Sequence, residues 1–170
     1  MRALRYIVVF VVIVALSQWL FVMAVPSLIF AIAKERKPEP VNKVYHAGKT
    51  NAFLRKVVLP NPDFIYSACF FDLSKNDLVI TGQFPDTSQY CSLAFYDDKT
   101  MPFYVRNNLQ GFKPNYSIRL SYVNRVQRTL RARTKQGVVL MRVLVTDSAQ
   151  MANAKHLQQS FKVVEVPQND

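Results

Sequence analysis

The chain has 170 residues, half of them hydrophobic, and its 22 basic and 11 acidic side chains give a formal net charge of +11. An aromatic content of 12% with only four glycines excludes a disordered or collagen-like polymer. Two cysteines exclude a disulfide-rich scaffold, and two histidines leave little with which to build a zinc site.

From Tyr6 to Ala33 the chain runs 28 residues without a charge, interrupted only by Ser17, Gln18, Pro26 and Ser27. A helix of that length exceeds the roughly 30 Å of a bilayer core. Residues 1–33 therefore read as an N-terminal transmembrane anchor, with Pro26 expected to kink it or end its deeply buried part. A secretory signal peptide competes, because Arg2 and Arg5 form a basic start and Ala31-Ile32-Ala33 has the small-x-small form of a cleavage site. The run is longer than the roughly 7–15 residues of an ordinary signal core, which favours the anchor and leaves cleavage open. Counted literally, Lys34, Arg36, Lys37, Lys43 and Lys49 favour a cytoplasmic C-terminal part, while the signal-like start favours an extracytoplasmic one.

Residues 34–56 read as linker and lead-in, stiffened by Pro38 and Pro40, and residues 57–170 as one β-rich domain. Strands are expected at 64–73, 78–84, 90–96, 103–106, 116–122, 129–133, 138–145 and 161–166. The arms 129–133 and 138–145 read as a hairpin across Thr134-Lys135-Gln136-Gly137. The second arm is apolar enough for a central strand covered on both faces. Thr146, Asp147 or Ser148 can cap one helix whose stripe is Met151, Ala154 and Leu157. The expected class is mainly β (α+β): an antiparallel β-sandwich or open barrel with one short C-terminal helix, after the transmembrane helix. Cys69 and Cys91 fall on the first and third of three successive strands, about 10 Å apart in a simple meander. That favours free thiols and leaves bonding open.

The stretch Asn61-Pro62-Asp63-Phe64-Ile65-Tyr66-Ser67, followed by Asp72-Leu73-Ser74, resembles the domain of unknown function 1254 family. Pro85-Asp86, Tyr90, Ser92, Tyr96-Asp97 and the strand Gly137-Val138-Val139-Leu140-Met141-Arg142 continue the likeness. Phe64 stands where a threonine is usual, and Asn76-Asp77 replaces a Gly-Pro turn. The short members look like single-anchor bacterial envelope proteins, often beside companion membrane proteins. The resemblance implies an inner-membrane, single-pass chain with its C-terminal domain in the periplasm, and it supplies no catalytic residues.

Charge is segregated along the chain. Residues 57–98 hold six acids and one base, and residues 99–146 hold ten bases and no acid. Some of this imbalance is expected to be internal pairing. The remainder predicts a binding face of Arg119, Arg125, Arg128, Arg131 and Arg133. Its expected ligands are anionic lipid, cell-wall polymer or an acidic partner protein, each basic residue near such a surface contributing about 1 kcal/mol. Nucleic acid is not expected, because the anchor restricts access. Arg142, inside an apolar strand, is expected to pair with Asp72 or Asp97.

Evidence for an enzyme is weak: the chain has no metal-ligand spacing, nucleophile elbow, phosphate loop or cofactor fingerprint. The leading expectation is an accessory interaction module. The alternative is a carbohydrate- or small-ligand-binding domain, hydrolytic or not, with a cleft around Asp63, Tyr66, Asp72, Asp97 and Arg142. A third is a structural subunit whose Ser17, Gln18 and Ser27 bond a neighbouring helix.

Overall fold

The structure is a computed structural model that describes residues 2–36, 39–49, 61–86, 88–110, 114–123 and 129–168. Arg125 and Arg128 of the expected binding face lie outside those residues, as do residues 50–60.

Helix α1 (Arg2–Glu35) is 34 residues long and continues through Pro26. By length and composition it is a candidate single membrane span or signal sequence. Residues 2–24 are exposed throughout, so an apolar cylinder stands clear of the rest of the protein. Ser17 donates to the Ile13 carbonyl of its own helix at 2.7 Å, so this hydroxyl is already used within α1.

Among the described residues nine strands follow: β1 (Val44–His46), β2 (Phe64–Asp72), β3 (Asn76–Gln83), β4 (Cys91–Asp97), β5 (Pro102–Asn107), β6 (Asn115–Ser121), β7 (Thr129–Arg131), β8 (Gln136–Leu144) and β9 (Lys162–Pro167). They form a five-stranded sheet, β1-β2-β8-β4-β5, and a four-stranded sheet, β7-β6-β3-β9. In β2 and β8 alternate residues are buried, so Ile65, Ser67, Cys69 and Phe71 point inward with Gly137, Val139, Met141 and Val143. Leu78, Ile80, Tyr116 and Leu120 face them from the other sheet, and one continuous core fills the space between. The mainly β class with one short C-terminal helix is therefore observed. A 3-10 turn (Ser148–Gln150), capped by Asp147 accepting from the Ala149 N–H at 3.3 Å, leads into helix α2 (Met151–Ser160). Ala154 and Leu157 of the expected stripe are buried against the core, while Met151 is half-buried.

Two expectations of connectivity are corrected. Segments 129–133 and 138–145 do not form a hairpin, because β7 lies parallel to β6 in the smaller sheet while β8 is central in the larger. Residues 132–135 instead cross from one sheet to the other. The cysteines do not flank β3: β8 separates β2 from β4, with Cys69 opposite Val139 and Cys91 opposite Val143. Both thiols are free and buried. Burial pushes each up to about 12.

Gly137 is required where it stands. A Cβ there would run into the Tyr96 backbone carbonyl and the Phe71 ring, so the close approach of β8 to β4 depends on its absence.

The registers define two ends. Asp72 lies opposite Gln136 and Asp97 opposite Gly137 at one end; Phe64 lies opposite Leu144, and Cys91 opposite Val143, at the other. Helix α1 meets the first: Phe30 is buried, its ring centred 5.9 Å from that of Phe70, and the Lys34 ammonium donates to Gln136 Oε1 at 2.9 Å. This is called the anchor end below.

Candidate functional site

Acidic side chains are largely engaged by the fold. Asp72, Asp86 and Asp97 each accept from the backbone N–H two residues on, at Ser74, Ser88 and Lys99, closing three turns. Asp97 also takes the Met101 N–H at 2.8 Å and is buried. Burial alone would raise Asp72, but hydrogen bonds from Ser74 and Gln136 and the charge of Lys34 outweigh it and hold the carboxyl below its usual range. Glu165 is likewise held low by hydrogen bonds from Asn76 and Asn42.

Basic side chains divide into two sets. Arg119 belongs to the fold: its guanidinium meets Asp77 at 2.9 Å and donates to the Pro167 carbonyl at 3.1 Å. It is thus committed, and its place in the expected binding face is taken by structural work. Arg131, at the end of β7, and Arg133, just beyond it, are exposed. Neither makes an ion pair among the described residues; the single salt bridge there is Arg119–Asp77.

The expected cleft is not assembled. Asp63 and Tyr66 lie toward the far end with Arg142, whereas Asp72 and Asp97 close turns at the anchor end. Arg142 lies six residue steps along β8 from Gln136, roughly 20 Å. Arg142 consequently reaches neither aspartate. It is half-buried on the outer face of the larger sheet, opposite Tyr66 and Ser92, and donates to Ser92 Oγ at 3.3 Å.

Two arrangements were not anticipated. An open groove of about 550 Å³ runs between α2, β3, β6 and β9, with Tyr116, Asn115, His156, Ser160 and Lys162 among its lining residues. Among the described residues the buried Tyr116 hydroxyl has no hydrogen-bond partner, and burial raises the phenol well above its ordinary range. Only the sheet pairing Gly82–Tyr116 and the packing of α2 bring these residues together, and no sequence spacing announces that. The second is His46 Nδ1, 2.9 Å from Ser67 Oγ. A serine–histidine contact invites a nucleophile reading, but Ser67 is 1% exposed, so the contact pins β1 to β2. Among the described residues no group of three or more His, Cys, Asp and Glu side chains could hold a metal ion.

Comparison with known proteins now supplies the family. Residues 41–165 match the family model described as Protein of unknown function (DUF1254). The chain belongs to this DUF1254 family. No curated protein matches it. Among solved structures it is similar to the VPA0106 protein from Vibrio parahaemolyticus, with a TM-score of 0.63 at 9% identity over 83% of this chain and 35% of that one. It is also similar to a putative uncharacterized protein from Burkholderia cenocepacia, with a TM-score of 0.48 at 16% identity over 83% of this chain and 40% of that one. This DUF1254 chain thus spans well under half the length of both solved relatives, and the first shares its fold.

Proposed function

We propose that this DUF1254 protein is a single-pass bacterial inner-membrane protein whose periplasmic β-sandwich is an interaction module, docking an acidic partner surface through exposed arginines. One observation carries the reading. Arg131 and Arg133 are exposed without an ion pair among the described residues, while the nearby carboxylates are turned onto backbone N–H groups or, at Asp77, onto Arg119. Those carboxylates keep their charge, but none of the described ones pairs directly with either guanidinium, so both planar forks can still take a ligand's carboxylate or phosphate. The test is crosslinking of the full chain in intact cells. Arg131→Glu with Arg133→Glu should lose the captured partner while membrane level and thermal unfolding stay unchanged; undiminished capture across a salt titration contradicts the reading.

A second reading rests on the groove at Tyr116. A small polar ligand there would give the buried hydroxyl a partner and meet His156 and Lys162 at the rim. Ligand-induced thermal stabilisation that disappears in Tyr116→Phe supports it, and its persistence in that variant opposes it.

A further inference from the structure

The end of β3, the starts of β6 and β9 and the last turns of α2 build the groove at Tyr116. Gly82 lies opposite Tyr116 in the β3–β6 ladder. A Cβ on residue 82 would run into the Tyr116 hydroxyl, so glycine is what lets the phenol lie across β3. The tyrosine ring also packs on Phe84, 4.7 Å between centroids. The helical wall is tied down as well: the Gln83 N–H donates to Ser160 Oγ at 3.0 Å, and that hydroxyl donates to the Leu157 carbonyl at 2.7 Å. The fold thus sets the walls, while Gln83, Asn115, Gln159 and Lys162 line them with exposed side chains.

The polar groups narrow the ligand class. No lining residue among the described ones is a carboxylate or an arginine. The groove therefore offers neither a counter-ion for an amine nor the planar fork that grips phosphate or carboxylate. Its one lysine, Lys162, stands two residues beyond the end of α2, where the partial negative charge of the helix offsets it. Lys155, beside His156, is opposed by Asp86, three residues past Gln83. What remains is three side-chain amides, Gln83, Asn115 and Gln159, with Thr81 and His156 beside them. Such groups both donate and accept hydrogen bonds, as a sugar hydroxyl does.

Tyr116 adds the decisive donor. It is 5% exposed, has no hydrogen-bond partner among the described residues, and keeps its proton at neutral pH because burial raises the phenol. The groove's volume of about 550 Å³ falls within the roughly 300–1,000 Å³ of small-molecule sites.

We propose that this groove binds a neutral, hydroxyl-rich ligand of the sugar or polyol class, with one ligand oxygen accepting from the Tyr116 phenol and other hydroxyls engaging the surrounding amides. The phenol lies under the groove, so the ligand reaches it as the tips of Gln159 and Lys162 swing aside. The proposal rests on the groove reading above and names its ligand. It moves carbohydrate recognition from the dispersed Asp63–Asp97 cleft to residues that the fold does assemble.

The test uses the full chain, its tyrosines labelled with carbon-13 at Cζ, in a polyoxyethylene detergent that carries no sugar of its own. Tyr116→Phe removes one of the eight tyrosine resonances and so assigns it. Glucose, N-acetylglucosamine and sorbitol are titrated, with inorganic phosphate alongside. At least one neutral probe should move the Tyr116 resonance saturably while the other tyrosines stay in place. Asn115→Ala and Gln159→Ala, both at exposed positions, should each weaken that binding about three- to tenfold, one lost hydrogen bond apiece. Unchanged affinity in both variants, or a shift of every tyrosine in proportion to sugar concentration, overturns the proposal. Movement with phosphate but with no neutral probe overturns the sugar class and leaves the groove reading standing. No movement with any probe overturns both.

Discussion

The Arg119 guanidinium lies 2.9 Å from an Asp77 carboxylate whose side chain has no exposed surface. β6 and β3 are adjacent, with Val79 opposite Arg119, so the pair spans neighbouring strands of the smaller sheet. It is where the acidic and basic halves of the sequence neutralise each other within the fold.

Removing one partner should leave a buried charge. Arg119→Ala is predicted to cost about 2–3 kcal/mol, below the full range for buried pairs because the arginine side chain is 36% exposed. Adding Asp77→Ala should cost less than the sum of the single changes, and a double-mutant cycle by urea unfolding in detergent measures the coupling. Partner capture should survive Arg119→Ala and be lost in Arg131→Glu with Arg133→Glu.

Gly137→Ala should be among the most damaging single-methyl additions. The new Cβ meets the Tyr96 backbone carbonyl, which cannot swing aside as a side-chain tip could. A loss of about 2–3 kcal/mol is expected from overpacking between β8 and β4 near the start of β8. Gly48, with no atom of the described residues within 4 Å of its own Cβ position, is the control, and Gly48→Ala should leave the unfolding midpoint within experimental scatter.

His46 carries a pH dependence. Desolvation lowers its folded pKa, so folding favours the neutral ring. Its contribution is intact above the ordinary histidine range near pH 6.5 and is lost as pH falls from there through the depressed folded value. Amide exchange in Val44–His46 should therefore quicken as the pH falls below about 6.5 in the native protein. In His46→Gln that acceleration, beyond the intrinsic pH effect, should vanish.

Both cysteines should be silent in the native state. Burial holds each thiol near 12, so almost no thiolate exists at neutral pH and reagents have little access. A thiol-reactive dye is expected to report none in the folded chain and two after denaturation without reductant. A count of zero in denaturant would mean that a disulfide links them.

Much of the fold was legible because strand burial has a period of two. The alternation Tyr116-Ile118-Leu120 and the apolar run Val138–Val145 marked β6 and β8, and Met151, Ala154 and Leu157 marked α2. What escaped was partner choice. A turn at Thr134–Gly137 looks the same locally whether its arms pair or part, and here β7 and β8 join different sheets. The three residues of β1, set in a polar lead-in, show no pattern long enough to read. Arg142 has no legible partner for the same reason, because register, unlike composition, places Asp72 and Asp97 at the opposite end of β8. Arg119 showed only its charge, and its partner emerged with the β3–β6 pairing.

The account stands on a retained α1 that holds the sandwich outside the cytoplasm, and one labelling measurement addresses both halves of that claim. Leu109→Cys is expressed in bacterial cells, treated with a membrane-impermeant maleimide after the outer membrane alone is opened, and followed by the mass and fractionation of the labelled chain. A full-length, membrane-pelleted chain labelled at position 109 is the predicted result. Labelling that requires opening the cytoplasmic membrane, or a shortened labelled chain in the soluble fraction, would contradict it.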